Sequence, residues 1–200
     1  MDEERAWILQ AQQGSDEAFT RLVETYQRSV YNLCYRMLGD AYKAEDAAQE
    51  SFLRAYKNLH RYDSNRSFAT WLLSISAHYC IDSLRKKKLS TFSLYDDEGS
   101  PREYLADHAA LHPEGAVLKK AQEAEMQVLL QSLKETDRAA IILRYWHDAS
   151  EKEIAETLGI TVSAVKSRLH RARRKLAELL TAKEKSPSRA ERMSYESPIF

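Results

Sequence analysis

Residues 150–176 read SEKEIAETLGITVSAVKSRLHRARRKL. Ser150, followed three residues later by Glu153, fits a capping box: hydroxyl and carboxylate each satisfy the other residue's backbone N–H at a helix start. Ile154, Ala155 and Leu158 then turn inward on a short helix. Leu158-Gly159-Ile160 supplies a tight turn, because glycine takes a left-handed conformation without a Cβ penalty. Thr161 caps a second helix, whose Val162, Val165, Leu169, Ala172 and Leu176 fall on one side at about 100° per residue. The opposite side carries Ser163, Ala164, Ser167, His170, Arg171 and Arg174, flanked by Lys166, Arg168 and Arg173. Small residues near the N-terminus let a helix approach base edges, arginine pairs with guanine, and flanking cations neutralise phosphates. A charged helix face alone usually means only solvation. Together, the short first helix, the glycine turn and the cationic bias make this a helix-turn-helix that binds DNA.

The rest of the chain also reads as helix. All four prolines (Pro101, Pro113, Pro187, Pro198) fall in one central and one terminal region, and Gly14, Gly39, Gly99, Gly115 and Gly159 are expected between helices rather than inside them. In a helix interior proline costs about 3 kcal/mol and glycine about 1. The fold class is therefore all-α, as two small helical domains joined by a flexible linker. Residues 1–89 form the first. A short helix carries Trp7 and Ile8, and a long one capped at Ser15 or Asp16 runs from Phe19 to Met37. A third helix carries Ala44, Ala48, Phe52, Ala55, Tyr56 and Leu59, and a fourth runs from about Ser67 to Lys87 after a loop at Arg61 to Asn65. Residues 90–114, with Asp96-Asp97-Glu98-Gly99-Ser100-Pro101, have turn chemistry and no period and read as the linker. Helices resume over 115–182, and the polar tail 183–200 is expected to be disordered.

Lys+Arg 30 against Asp+Glu 30 gives zero formal net charge, which excludes a chain coated in positive charge but not a local basic face. No run approaches the ~20 apolar residues of a membrane span, and Met1-Asp2-Glu3-Glu4-Arg5 lacks the apolar core of a signal peptide. Two cysteines, Cys34 and Cys80, are too few for a disulfide framework and suit a reducing, cytoplasmic location.

Two helices of the first domain carry less decisive signals. Asp46, Gln49, Glu50, Leu53 and Lys57 share the face opposite the core stripe of the third helix. A leucine among acids is either an unremarkable exposed side chain or an anchor for a protein with a basic, partly apolar surface, and the pattern leaves both open. The fourth helix opens with Phe68 and Trp71 and ends in Arg85-Lys86-Lys87-Lys88, with Ser74, His78 and Arg85 as a polar stripe beside Trp71. The plainer reading is a core aromatic cluster and a basic cap that suits the helix dipole. The alternative is a platform for single-stranded DNA, where aromatics stack on bases and cations meet phosphates.

The order of these segments resembles a known family. Asn32-Leu33-Cys34-Tyr35-Arg36-Met37-Leu38-Gly39 with Ala44-Glu45-Asp46-Ala47-Ala48-Gln49-Glu50-Ser51-Phe52-Leu53-Arg54-Ala55-Tyr56 looks like region 2 of bacterial sigma factors. Phe68-Ala69-Thr70-Trp71-Leu72 and Ile81-Asp82-Ser83-Leu84-Arg85-Lys86 continue it, and Val165 to Arg173 resembles region 4. The absence of a sizeable domain between them is similar to the extracytoplasmic-function (ECF) group, in the direction of its sigma-W branch. The resemblance implies a dissociable, promoter-selecting subunit of RNA polymerase. It implies that Asp46, Gln49, Glu50 and Leu53 dock on core RNA polymerase, which favours the anchor reading of Leu53. It implies that Asn65, Arg66, Ser67, Phe68, Trp71, Ser74, His78, Arg85 and Lys86 meet the melted single strand of the −10 element. Thr161, Ser163, Ala164, Lys166, Ser167, Arg168, His170, Arg171 and Arg174 would read the −35 element as duplex. An anti-sigma factor, typically membrane-bound, is a further implied partner. His78 stands where the family varies, so no preferred −10 base follows.

The competing reading is a stand-alone dimeric helix-turn-helix regulator, which would bind a two-fold operator without polymerase. Catalysis has no support: there is no glycine-rich phosphate loop, nucleophile elbow or HExxH. Neither catalytic residues, a cofactor, a metal site nor a small-molecule substrate is expected. The nearest metal-like spacing is His108 and His112 in the linker.

Overall fold

The computed structural model describes the backbone of residues 2–64, 66–93 and 113–185, and the side chains of 3–64, 66–88 and 121–182. It is all-α. The order is α1 (Asp2–Gln12), α2 (Asp16–Leu38), α3 (Ala41–Asn58), a 3₁₀ turn (Leu59–Arg61), α4 (Phe68–Ser93), α5 (Pro113–Gln131), α6 (Glu135–Trp146), α7 (Glu151–Leu158) and α8 (Val162–Lys185).

Local chemistry explains the boundaries. The Ser15 hydroxyl accepts from Ala18 N at 3.2 Å and Asp40 Oδ1 from Lys43 N at 3.1 Å, so α2 and α3 each start on a side-chain cap. Between them Gly39 sits at φ 73°, and its N–H bonds the Tyr35 carbonyl at the end of α2. The capping box at Ser150 and Glu153 is formed, and Gly159 closes α7 at φ 63°. Three expectations are corrected. Gly115 lies inside α5, near an end that starts with Pro113, since proline is favoured at the first helical position and the first turn tolerates weak helix formers. Helix α4 runs through the lysine run to Ser93, because lysine is a good helix former and no proline or glycine intervenes. Of the tail expected from 183, residues 183–185 belong to the last turn of α8, which is rich in helix-forming Lys and Glu; 186–200 and the Asp96–Glu98 segment lie outside the described residues.

Helices α2, α3 and α4 pack on one another, and α1 lies along α2. Leu22, Val30, Leu33, Met37, Leu72 and Cys80 fill the space between them. Helices α6, α7 and α8 form the second unit around Ile142, Leu143, Ile154, Val165 and Leu169.

The two units are packed together rather than merely strung on a linker. Helix α4 contacts α6 and α7, and α2 contacts α5 and α6. Tyr79 of α4 lies under Arg54 of α3, and the Cys80 thiol meets Cys34 of α2. On a helical wheel this leaves Ala77, Ile81 and Leu84 for α6 and α7; Ala77 and Ile81 are buried and Leu84 half-buried. Polar contacts fasten the same seam. Gln127 Nε2 donates to the Tyr35 and Arg36 carbonyls, both at 3.1 Å, and Gln131 Nε2 to Met37 O at 3.4 Å. Buried Arg138 donates to Met37 O as well. The Arg36 and Met37 carbonyls are ones that the end of α2 leaves without helical partners, and Tyr35 O takes Gln127 as a second donor beside Gly39 N. Arg36 also lies 4.8 Å from the Trp146 ring centroid, and Lys88 pairs with Glu135. Burial works against ionisation of Glu135, but the Lys88 hydrogen bond and charge hold its carboxyl below the ordinary range.

Candidate nucleic-acid and protein interfaces

The exposed face of α3 carries the first candidate surface. Asp46 and Gln49 are exposed, Glu50 is half-buried and Leu53 is 46% exposed. Ala44, Ala47, Ala48, Ser51 and Ala55 are buried against α2 and α4, which fixes the helix rotation and turns the acids outward. Glu50 Oε1 accepts from Arg54 Nε at 2.7 Å, so one acid is tied within its own helix. Beside this face a groove of about 450 Å³ runs between α2 and α3, lined by Val23, Tyr31, Ala48 and Phe52 together with Glu45 and Gln49. The sequence pattern marks the leucine and the acids but not the groove, whose walls come from two helices.

The second surface surrounds the start of α4. Arg66 N bonds Asp63 O at 3.0 Å, the Tyr62 hydroxyl donates to the Arg66 carbonyl, and Ser67 Oγ accepts from Thr70 N at 3.4 Å to begin the helix. Gln12 of α1 braces the preceding turn by donating to Leu59 O at 3.0 Å and Tyr62 O at 3.2 Å. Arg66 and Ser67 are exposed; Asn65 lies outside the described residues. Phe68 is only 3% exposed, which removes it from the surface expected to meet DNA. Its ring sits between Tyr26 at 5.5 Å, Tyr62 at 5.4 Å and Trp71 at 5.6 Å, so it supports the half-buried Trp71 from behind. Buried Tyr62, 5.2 Å from Trp71, belongs to the same cluster and carries no sequence signal beyond its aromaticity. Burial and the hydrogen bond to Glu4 push the Tyr26 phenol pKa upward, so it stays a neutral donor. Farther along α4, half-buried Ser74 and exposed His78, Arg85 and Lys86 continue the outer stripe. Ser74 Oγ donates to Trp71 O and His78 Nδ1 meets Ser74 O, each at 2.7 Å, while Arg85 pairs loosely with Asp82 at 4.0 Å.

The third surface is α8. Val165, Leu169 and Ala172 are buried, which turns Ser163, Ser167, His170 and Arg174 outward on one exposed face. Thr161 Oγ1 accepts from Ala164 N at 3.2 Å at the start. Ala164 is half-buried, and Arg174 pairs with Glu178 at 3.4 Å along the helix. Both rims of the face are held by carboxylates from neighbouring helices. Lys166 meets Glu151 of α7 at 3.7 Å, and Arg168 and Arg171 converge on Asp137 of α6. Arg168, expected to flank the face toward phosphates, is turned toward α6: its side chain is 26% exposed and donates to Thr136 and Asp137. At the turn, the Ser150 side chain and backbone hold the Glu153 carboxyl below its ordinary range.

His108 and His112 lie outside the described residues; among the described residues no group of three or more His, Cys, Asp or Glu is placed to hold a metal ion. Nor is any described helix long and apolar enough to cross a membrane.

Comparison with known proteins matches two regions of the chain. Residues 22–90 match sigma-70 region 2, and residues 123–176 match sigma-70 region 4. The ECF RNA polymerase sigma factor SigW of Bacillus subtilis is 39% identical over 178 residues, covering 86% of this chain and 94% of that protein. The RNA polymerase sigma-H factor of Pseudomonas aeruginosa is 31% identical, covering 90% and 94%. Among solved structures, CnrH in complex with the cytosolic domain of CnrY matches with a TM-score of 0.66 at 26% identity, over 90% of this chain and 99% of that one. The Bartonella quintana sigma factor RpoE, solved with the anti-sigma factor NepR, shares the fold with a TM-score of 0.62 at 20% identity, over 82% and 96%.

Proposed function

The chain belongs to the extracytoplasmic-function sigma factors of the sigma-70 family, and from that membership we propose how its surfaces divide the work of initiation. It binds core RNA polymerase and directs promoter-specific transcription. The carrying observation is that one chain presents an acidic, leucine-centred face on α3, an aromatic-backed stripe on α4 and a cationic face on α8, all exposed and separate.

In this reading residues 1–89 dock on polymerase and handle the −10 element, 90–114 link, and 115–182 read the −35 element. Leu53 seats in an apolar patch of the polymerase, and Asp46, Gln49 and Glu50 meet basic groups around it, an anchor ringed by polar contacts. Arg66, Ser67, Trp71, Ser74, His78, Arg85 and Lys86 receive the opened −10 strand; Asn65 belongs with them by position. Phe68 acts here only by propping Trp71. Flipping a base costs a few kcal/mol, which stacking and phosphate contacts offset. Capture of unstacked bases shifts the melting equilibrium with no chemical step by this chain. Ser163, Ser167, His170, Arg171 and Arg174 approach the −35 major groove, with Thr161, Ala164 and Lys166 beside them and Arg168 behind Arg171. Its place is the cytoplasm, with an anti-sigma factor as a second protein partner. The anti-sigma factor NepR, co-crystallised with the Bartonella quintana RpoE, supports the latter assignment.

Run-off transcription with purified core polymerase on a random promoter library tests the proposal. The holoenzyme should select templates sharing −35 and −10 motifs, while the free chain retains none. Tight binding of a free dimer to a two-fold operator, without association with core, would refute it.

A further inference from the structure

Asp137 is the third residue of α6 and is 6% exposed. No periodicity distinguishes it from other acids at a helix start. Two guanidinium groups from α8 close on it. Its Oδ1 accepts from Arg168 Nη1 at 2.9 Å and from Arg171 Nη2 at 3.3 Å, and its Oδ2 accepts from Arg171 Nε at 3.4 Å. Arg168 Nη1 also donates to Thr136 Oγ1 at 2.7 Å. The two arginines are held differently. Arg168 has a side chain 26% exposed and fills the space between α6 and α8; Arg171 is 53% exposed and stands at the rim of the outer face. Arg171 meets Asp137 in a two-point fork through Nε and Nη2, the geometry a planar guanidinium favours with a carboxylate. The Nη1 edge of that guanidinium is not used by Asp137.

We infer that Asp137 is a positioning residue for duplex recognition: it holds Arg171 side-on, with the Nη1 edge presented to a phosphate of the −35 element. The inference rests on the function proposed above. Two effects of the carboxylate oppose each other. As a charge it repels phosphates and cancels one of the two cations, so its removal would tighten binding and steepen the salt dependence. As a brace it fixes a long, rotamer-rich side chain before DNA arrives, so its removal makes binding order that side chain. Burial behind two guanidiniums screens the charge from the DNA side and favours the brace.

The test compares full-length wild type with Asp137→Asn, each assembled with core polymerase. The probe is a promoter duplex that the wild-type holoenzyme selects from a random library, and affinity is measured across a salt series. Asp137→Asn should bind about 3- to 10-fold more weakly, the range expected for ordering one side chain on binding. The slope of log K against log salt should stay that of wild type, because Arg171 still neutralises its phosphate once it has been ordered. In an Arg171→Ala background the same change should have no further effect, because Asp137 acts through Arg171. Equal or tighter binding, or a steeper slope, would overturn the inference. If Asp137→Asn loses helicity, Arg171→Lys carries the test: it keeps the charge but not the fork, so it should show the same weakening, and wild-type affinity would overturn the inference. A wild-type holoenzyme that selects no promoter would overturn the function itself, and this inference with it.

Discussion

Arg138→Met should loosen the seam between the two units. Arg138 is buried and donates to four acceptors: Met37 O on α2, Gln131 Oε1 at 2.6 Å, Gln131 O at 2.8 Å and Leu133 O at 3.2 Å. Methionine roughly preserves the volume, so the change leaves little cavity. It does leave three carbonyls without that donor, at about 1 kcal/mol each. Against this, the wild type buries a cation whose Nε has no hydrogen-bond partner in the structure, and burial pushes the Arg138 pKa down. Releasing that penalty offsets part of the loss. The expected net destabilisation is about 2 kcal/mol, which for a chain of this size lowers Tm by roughly 4–8 °C. Thermal and urea unfolding followed by circular dichroism and by tryptophan fluorescence measure it, since Trp146 lies under Arg36 at the seam. The two probes should separate in the variant, as the units uncouple before either melts. Arg138→Lys should fall in between, because an ammonium cannot reach three carbonyls in a planar fork. Stability within about 0.5 kcal/mol of wild type, with coincident transitions, would refute the idea that this side chain fastens the units.

Leu53→Arg should abolish association with core polymerase in a pull-down while leaving helicity intact, because Leu53 is 46% exposed and lies outside the buried core. Ser150→Ala should cost about 1 kcal/mol at neutral pH through loss of the capping box. Glu153 has a depressed folded-state pKa, so its share of that stability is fully present above the ordinary glutamate pKa and is lost as pH falls through the folded value. The gap between the denaturation curves of wild type and Ser150→Ala should therefore narrow in acid to what the Ser150 hydroxyl contributes through Glu153 N. Cys34 and Cys80 should resist thiol reagents until the protein unfolds, because both are buried and the hydrogen bond to Cys34, with burial, pushes the Cys80 thiol pKa up.

Features written in local sequence were legible. The capping box at Ser150 and Glu153, the glycine turn at Gly159 and the Thr161 cap each depend on residues three or four apart, and each appears where the pattern puts it. The outward turn of Leu53 followed from the alanine stripe on the other side of α3. Features that depend on the meeting of distant segments were not legible. Gln127 and Gln131 bond carbonyls 91 to 94 residues away, and Arg138 one 101 away. These side chains have no period and would read as solvated. Phe68 illustrates a subtler limit. Aromaticity beside cations fits a base platform and a packed cluster equally well, and only the convergence of Tyr26 and Tyr62 from other elements buries it. Arg168 and Arg171 are one turn apart and chemically identical, yet Asp137 draws the first inward and leaves the second at the rim.

The seam also limits how the chain can engage a promoter on the proposed reading. Elements centred at −35 and −10 lie about 25 base pairs apart, about 85 Å at 3.4 Å per pair. Helix α4, assigned to the −10 strand, packs directly on α7, the first helix of the −35 reader. Helix α8, with 24 residues, spans only about 36 Å. The packed chain therefore cannot meet both elements at once, and the units must part on the promoter. Parting breaks the contacts of α4 with α6 and α7 and takes Arg138 and the glutamines from the carbonyls of α2. A partner that binds the separated arrangement better than the packed one must offset that cost, by as much as its affinities for the two differ. Core polymerase is the partner that the α3 face provides for. DNA alone would have to open the seam with one element engaged at a time, so on the proposed reading tight promoter binding requires the polymerase.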